Sequence, residues 1–193
     1  MQYLKEEVKK AIVESALKEF KEKSYMKASM RSIAKNAGVT VGNIYRYFNN
    51  KDDLFNFIVD PVWMDLEKVI FGNYDLSVDL FPITEIISSI MDIYKRFNNE
   101  LFILLHNSSG SKYGNIKEEL IELIKKRIEE ETLPLLKKNN KVLKDKFIFY
   151  IVSSAIVDSI YTIMKECGDD FDRAEALIKQ TITIFSKDLY TKI

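Results

Sequence analysis

The stretch MRSIAKNAGVTVGNIYRYFNNKDDLF, residues 30–55, decides the fold because it encodes two short helices joined by a tight turn. Ser29 is placed to cap the first helix, and Gly38 lies where a left-handed residue would end it. Thr40 is placed to cap the second helix. Apolar residues recur at the spacing of one helix face, and they are Met30, Ile33, Ala34 and Ala37, then Val41, Ile44 and Phe48. Each helix is predicted to be about two turns long.

Helices are also predicted on both sides of this stretch. Residues 4–22 carry an apolar residue at every fourth position from Val8 to Phe20, among charged residues, which is typical of an amphipathic helix. Asn49 or Asn50 is placed to cap a fourth helix, which continues to about residue 71. Two short helices with a longer helix packed across them form a helix-turn-helix.

The composition indicates an all-α protein. The 193 residues include only six Gly and three Pro, with 47% hydrophobic and 30% charged residues, which argues against a β-sandwich and against a disordered chain. Pro134 is expected to kink its helix or to end it early. Further helices are predicted at residues 81–97, 101–106, 116–138, 142–166 and 172–190, with loops at 72–79, 107–115 and 167–172.

Residues 147–164 are apolar almost all round and have about the length of a short membrane span. Ser, Thr and Asp158 interrupt the run and no aromatic belt flanks it, so a buried helix is favoured over a membrane span. The following helix carries an apolar stripe from Ala174 to Leu189. The two helices predict an antiparallel hairpin with apolar surface left over, and such surface usually meets another copy of the same chain.

Charge and cysteine content indicate the setting in which the protein works. The 29 basic and 29 acidic residues cancel overall, but residues 1–50 hold ten basic and five acidic residues, net +5, which leaves net −5 for the rest. A basic N-terminal quarter favours an anionic partner at that end. The single Cys167 cannot form an internal disulfide, and residues 1–10 lack an apolar signal region, so a cytoplasmic location is expected.

A helix-turn-helix places its second helix, the recognition helix, in the DNA major groove. Gly42 lacks a Cβ and would let the backbone approach the duplex closely. Asn43 has the chemistry to bond a base edge, and Arg46 to bond a guanine or a phosphate. Tyr45 also suits the thymine methyl group. Phosphate contacts are predicted for Tyr45, Tyr47 and Lys51.

The run IAKNAGVTVGNIYRYFNNKDDL, residues 33–54, resembles the N-terminal signature of the tetracycline-repressor (TetR) family of bacterial transcription regulators. The resemblance implies a homodimer with a three-helix helix-turn-helix DNA-binding domain at residues 1–50 and a larger helical ligand-binding and dimerisation domain at residues 51–193. It implies that the last two long helices form the dimer interface and that a small-molecule inducer binds the second domain. The DNA-facing residues that it implies are Ser29, Arg31, Thr40, Val41, Gly42, Asn43, Tyr45, Arg46, Tyr47 and Lys51.

Some of these residues have simpler interpretations. Tyr45 could pack in the core with Ile44 and Phe48, and Thr40 could do no more than cap its helix. Lys51 and Arg31 could be ordinary solvated charges. Many family members have Lys or Arg where this chain has Val41, so the base preference of the recognition helix is expected to depart from theirs.

Polar and ionisable residues within apolar runs are the candidates for a ligand site in the second domain. The predicted pocket accepts an apolar or aromatic inducer and is lined by Trp63, Met91, Tyr94, Phe102, His106, Tyr150 and Ser154. His106 has a simpler interpretation as a histidine whose hydrogen bonds are satisfied at a helix end. Asp158 could line the pocket or bond within the dimer interface, where a buried carboxylate would need a partner.

Two other classes of function are disfavoured. An enzyme is not expected, because the sequence has one His, one Cys, no CxxC pair, no phosphate-binding glycine loop and no HExxH motif. No cofactor and no metal site are therefore predicted. A protein-interaction module that never touches DNA would leave the basic N-terminal quarter unexplained. The sequence predicts a ligand-responsive repressor that binds a palindromic operator in double-stranded DNA and has no membrane partner.

Overall fold

The computed structural model describes residues 2–72, 83–138 and 140–192, and these residues form helices with no strand among them. The all-α prediction is confirmed. The predicted loop at 72–79 lies outside the described residues from position 73 onward, as do the first two residues of the helix predicted from 81. The helices are α1 (Gln2–Lys27), α2 (Met30–Asn36), α3 (Val41–Ile44), α4 (Lys51–Phe71), α5 (Ile83–Arg96), α6 (Asn98–His106), α7 (Ile116–Lys138), α8 (Phe147–Cys167) and α9 (Phe171–Lys192).

The chain divides into two compact units, and neither is one continuous segment. The first unit comprises Met1–Met64 and Phe97–Ile116, and the second comprises Asp65–Arg96 and Lys117–Ile193. Helix α4 contributes to both, because the division falls between Met64 and Asp65. The boundary predicted at residues 50 and 51 falls within the first unit, and as a division of function it stays a prediction.

The core of the first unit forms where α1 packs on the short helices and on α4. Ile12, Ala16 and Phe20, the apolar face of α1, are each 0% exposed. The Phe20 ring meets the Phe55 ring edge to face, with centroids 5.0 Å apart, which is a favoured aromatic geometry. Ile33 and Ile44 are also fully buried. The predicted amphipathic spacing is therefore the spacing of this core.

Helix α1 is longer than predicted and kinks at Ser24, whose φ of 66° lies in the left-handed region. Residues of the second segment hold this kink. The Asn107 side-chain amide donates to the carbonyls of Phe20 (3.0 Å) and Lys21 (2.8 Å), and the Tyr25 N–H donates to the Asn107 carbonyl at 2.8 Å. The end of α6 thus satisfies backbone groups that the kink leaves without helical partners.

The second unit contains α5, α7, α8 and α9, with α9 packed against both α5 and α8. Of the two effects expected of Pro134, an early end of α7 is wrong, because the helix continues to Lys138, and a kink stays a prediction. Thr132 and Leu136, on either side of the proline, are buried, so packing supports the helix through the missing hydrogen bond. The Tyr94 hydroxyl donates to the Met164 carbonyl at 3.0 Å and binds α5 to α8.

Helix α8 begins at Phe147, five residues later than predicted, and the Asp145 carboxylate accepts the Phe147 N–H at 2.9 Å in the turn before it. By length and composition α8 is the one helix in the described part of the chain that could cross a membrane, although core helices of soluble proteins pass the same test. The buried helix that the sequence favours here has an exposed side in the single chain, although Phe149 is 0% exposed. Phe147 is 60% and Ile151 50% exposed, and Asp158 is a half-exposed ion-pair partner of Lys117.

Candidate nucleic-acid interface

The turn between α2 and α3 has the geometry that the sequence predicts for a helix-turn-helix. Gly38 has a φ of 68°, so it occupies the left-handed position at the end of α2. The Val39 N–H donates to the Ala34 carbonyl (3.0 Å) and the Gly38 N–H to the Lys35 carbonyl (3.3 Å). These two bonds form a Schellman motif, which closes α2 and sends the chain directly into α3.

The N-terminus of α2 is capped differently from the prediction. Ser29 makes no side-chain capping bond, so its predicted capping role is wrong. The carboxylate of Glu19 on α1 accepts the Ser29 N–H at 3.2 Å and the Ser32 hydroxyl at 2.8 Å. The Glu19 carboxylate lies at the positive end of the α2 dipole, and it leaves the Ser29 side chain exposed at the surface.

Helix α3 is held by its own cap and by two buried side chains. The Thr40 hydroxyl oxygen accepts the Asn43 N–H at 3.2 Å, as predicted. The regular helix covers only Val41–Ile44, but turn hydrogen bonds continue to Phe48, whose N–H donates to the Ile44 carbonyl at 3.0 Å. Ile44 is 0% and Phe48 3% exposed, whereas Tyr45 is 50% exposed. The core interpretation is therefore confirmed for Ile44 and Phe48 and wrong for Tyr45.

The predicted DNA-facing residues share a lack of burial. Each is exposed or half-buried, and they are Ser29, Arg31, Thr40, Val41, Gly42, Asn43, Tyr45, Arg46, Tyr47 and Lys51. A Cβ placed at Gly42 would meet only the Thr40 hydroxyl oxygen, at 4.0 Å. The packing of the described residues therefore gives no reason for a glycine at this position, although glycine disfavours a helix. Close approach of a binding partner to the backbone at Gly42 would explain the glycine.

Lys51 does more inside the protein than the sequence predicts. Its ammonium donates to the carbonyls of Tyr25 (2.8 Å) and Ala28 (3.4 Å) and lies 4.4 Å from the centre of the Tyr25 ring. The Tyr25 hydroxyl in turn donates to Asp52. Burial, assisted by the Asp52 carboxylate, raises the pKa of Tyr25 to about 12. Lys51 thus fastens the start of α4 to the end of α1, and its role as a phosphate contact stays a prediction.

The start of α4 is capped by Asn50, one of the two predicted caps. The Asn50 side-chain oxygen accepts the Asp53 N–H at 2.8 Å. The Asp53 carboxylate accepts the Asn49 N–H at 2.8 Å, so the two side chains stabilise the turn reciprocally. This turn fixes the direction in which the chain leaves the recognition helix.

The seven residues predicted to bind a ligand are divided between the two units. Trp63, Phe102 and His106 belong to the first, where Phe102 stacks on His106 with ring centroids 4.5 Å apart. The second unit holds the other four, Met91, Tyr94, Tyr150 and Ser154. These residues have structural contacts. Trp63 lies 6.0 Å from the Tyr113 ring, and the Tyr150 ring stacks on Phe147.

The second unit contains a cavity of about 120 Å³ that none of these seven residues lines. Among the described residues, its lining is aliphatic apart from one ion pair between Arg127 and Glu131 on α7. The lining residues are Val69, Ile70, Ile86, Ile90, Ile124, Arg127, Ile128, Glu131, Ile156, Ile160 and Ile182. Among the residues described, no group of three or more His, Cys, Asp or Glu side chains has the arrangement of a metal site.

Sequence reasoning missed Glu19 and Arg127, although each carries a signal. Glu19 lies three residues after Ala16, in register with the apolar face of α1, so a buried and bonded carboxylate could have been expected there. Arg127 precedes Glu131 by one helical turn and adjoins Ile128. Asn107 carries no such signal, because its partners are distant in sequence.

Comparisons with known proteins agree with this geometry. Residues 12–58 match the family described as bacterial regulatory proteins, tetR family. An uncharacterized HTH-type transcriptional regulator of Haemophilus influenzae is 23% identical over 167 residues, which cover 82% of this chain and 76% of that protein.

Two solved structures show the same fold along nearly the whole chain. A TetR-like transcriptional regulator from Rhodococcus sp. RHA1 has a TM-score of 0.66 at 16% identity and covers 95% of this chain and 96% of its own. NalD, the secondary repressor of the MexAB-OprM multidrug efflux pump in Pseudomonas aeruginosa, has a TM-score of 0.57 at 21% identity, with 92% and 95% covered. The motif at residues 33–54 and the capped turn between α2 and α3 lie within the segment that matches the tetR family, and the two solved structures share the fold of the chain around that segment.

Proposed function

We propose that this regulator is a repressor that binds a palindromic operator in double-stranded DNA as a homodimer and is released by a small-molecule inducer. The observation that carries the proposal is the two-sidedness of α2 and α3. Ile33, Ala34 and Ile44 are buried in the core of the first unit. On the same two helices and the turn after them, Arg31, Asn43 and Arg46 remain accessible. The regulator acts in the cytoplasm and has no enzyme activity.

Each accessible residue has a proposed task. Asn43, in α3, meets a base edge, and Arg46 meets a guanine or a phosphate. Gly42 lets the backbone approach the groove, and Val41 in place of a basic residue makes an apolar contact. Side chains around Asn43 contact DNA phosphates, and they are Ser29, Arg31, Thr40, Tyr45, Tyr47 and Lys51.

The second copy of the chain is proposed to cover α8 and α9. Phe147 and Ile151 form an apolar stripe on the exposed side of α8, and Ile184 of α9 is 66% exposed. Burying such side chains against their symmetry mates gives the antiparallel hairpin a partner. Two recognition helices in one dimer would meet successive major grooves about 34 Å apart.

The inducer is proposed to bind in the cavity of the second unit. Arg127 lines the cavity and also donates to the carbonyls of Ile70 (2.7 Å) and Gly72 (2.9 Å) at the end of α4. Since α4 begins beside the recognition helix, a ligand that favours another position of α4 would disfavour the DNA-bound state. The pocket of seven residues predicted from sequence stays a prediction.

The proposal is tested by electrophoretic mobility shifts on the DNA that flanks the gene. We expect sequence-selective binding that weakens with salt. Asn43→Ala should relax the preference at one base pair, a loss of about 1–3 kcal/mol of discrimination. Asn115→Ala, an exposed substitution on the α6–α7 loop of the same unit, serves as the control and should bind as the unaltered protein does. An unchanged base preference in Asn43→Ala would contradict direct readout by that residue.

A further inference from the structure

The wall of the second-unit cavity carries charges that already neutralise each other. Nine of the eleven described residues that line it are aliphatic, eight Ile and Val69, and the other two are Arg127 and Glu131. The Arg127 guanidinium donates through Nε to the Glu131 carboxylate one turn further along α7. Their side chains are only 21% and 13% exposed. The ionised groups of the described wall therefore offer a ligand no net charge.

Other contacts hold the guanidinium in place. Arg127 Nη1 donates to the Ile70 carbonyl at 2.7 Å and to the Gly72 carbonyl at 2.9 Å, both at the C-terminal end of α4. Carbonyls at a helix end lack helical donors and carry the negative end of the helix dipole. Turning Arg127 toward a ligand would leave two carbonyls and a carboxylate without this donor.

The ion pair consequently disfavours ligands of either charge. A carboxylate that reached Arg127 would have to displace Glu131, and an ammonium group that reached Glu131 would have to displace Arg127. Either exchange leaves one poorly solvated charge without its partner, which is the costly state of a buried pair. An uncharged ligand makes no such demand and gains the contact with the Ile side chains.

We infer that the cavity takes an uncharged, hydrocarbon-like molecule and discriminates against carboxylates and amines of the same size. This inference rests on the proposed role of the cavity as the inducer site and specifies the class of inducer. A volume of about 120 Å³ suits a ligand of roughly six carbon atoms, since an apolar cavity of similar size holds benzene. Ile walls are stiff at χ1, so the shape of the cavity adds to the selection.

The test compares three six-carbon probes on the free protein in the absence of DNA. The protein carries ¹³C-labelled Ile δ1 methyl groups and is titrated at neutral pH with n-hexane, hexanoate or n-hexylammonium. We expect n-hexane to shift the methyl signals of Ile90, Ile124 and Ile160 saturably, while the exposed Ile184 stays unchanged as an internal reference. Hexanoate and hexylammonium should bind at least about tenfold more weakly. The absence of a response to n-hexane, or equal binding of a charged probe, would overturn the inference.

A matched pair of variants tests the role of the ion pair. Glu131→Gln removes the charge that occupies Arg127, so the affinity for hexanoate should rise about tenfold while that for n-hexane stays the same. Glu130→Gln alters the neighbouring residue, whose side chain is 63% exposed, and should change neither affinity. Equal hexanoate affinity in the two variants would overturn the neutralising role of Glu131.

The outcomes separate this inference from the proposed function. The comparison of probes on the unaltered protein needs no variant, so it decides the ligand class even where Glu131→Gln fails to fold. Operator binding is measured independently, without a probe. If the unaltered protein does not bind operator DNA, the proposed repressor function is contradicted. If a charged ligand binds in the cavity, only the inferred class of inducer is contradicted.

Discussion

A single buried carboxylate organises the helix-turn-helix at the residue scale. Glu19 is 2% exposed and accepts hydrogen bonds from the Ser29 N–H, the Ser32 hydroxyl and the Lys23 ammonium. Burial acts to raise the pKa of Glu19, but the three hydrogen bonds together outweigh it and place that pKa below its ordinary value. The native state therefore favours the ionised carboxylate.

This preference predicts how stability depends on pH. Because the pKa of Glu19 is lower in the folded than in the unfolded chain, its contribution is complete above the unfolded value of about 4.3 and is lost as pH falls through the folded value. Glu19→Gln should lower the free energy of unfolding by about 1–3 kcal/mol at pH 7, and the difference should shrink below about pH 4. Urea unfolding followed by circular dichroism, at neutral and at acidic pH, measures the difference in the free energy of unfolding and its decrease with pH.

Glu22→Gln is the control for that substitution, because Glu22 lies on the exposed side of the same helix. It should change the free energy of unfolding by less than about 0.5 kcal/mol at either pH. A Glu19→Gln protein that is as stable as Glu22→Gln at pH 7 would refute the capping role.

At the scale of the element, two glycines of the helix-turn-helix have opposite requirements. Gly38 has a φ of 68°, so Gly38→Ala should destabilise the fold by about 1–2 kcal/mol. Gly42 has open space where a Cβ would stand. Gly42→Ala should leave the fold as stable or raise its stability by up to about 1 kcal/mol, because alanine favours a helix.

DNA binding separates the two variants. Gly42→Ala should weaken operator binding about tenfold or more, because its methyl group holds the backbone away from the groove. On the same preparations, thermal unfolding gives the stability of the fold and mobility shifts give the affinity for operator DNA. A Gly42→Ala protein that binds its operator as tightly as the unaltered chain would rule out close backbone approach at this position.

Local patterns predicted the helices well because apolar spacing and caps are local properties. Thr40, Gly38 and Asn50 each act through hydrogen bonds to residues within five positions. The failures arise where distant residues intervene. Glu19 replaces the predicted Ser29 cap from ten positions away, and Asn107 holds the kink at Ser24 from the other segment of the unit. Propensity cannot reveal such contacts.

At the scale of the whole molecule, the exposed apolar stripe of α8 predicts the oligomeric state. Ile151→Glu would place a charge in the proposed dimer interface, so the monomer–dimer midpoint should rise by at least about a hundredfold in concentration. Val142→Glu is the control, because Val142 is 86% exposed and precedes the helix. Sedimentation equilibrium measures the masses. A dimer that survives Ile151→Glu unchanged would place the interface elsewhere.

The cavity proposed as the ligand site was the least predictable part of the molecule. The residues predicted to face DNA are close in sequence, so their pattern can be read in the linear chain, whereas the cavity gathers residues from α4, α5, α7, α8 and α9. Some of the residues predicted from sequence to bind a ligand also make structural contacts, as Tyr94 does with Met164. A wall made mostly of Ile cannot be distinguished in sequence from an ordinary core.

The kink held by Asn107 bears on how the protein could exchange parts with its relatives. A chimera made by one crossover after residue 50 would carry the carbonyls of Phe20 and Lys21 into a new protein but leave behind the amide that satisfies them. A recombinant that keeps a functional DNA-binding unit must therefore also include residues 97–116. Operator specificity therefore depends on two segments that must be transferred together. An exchange of the N-terminal segment alone would transfer α1 without the Asn107 contacts that hold its kink.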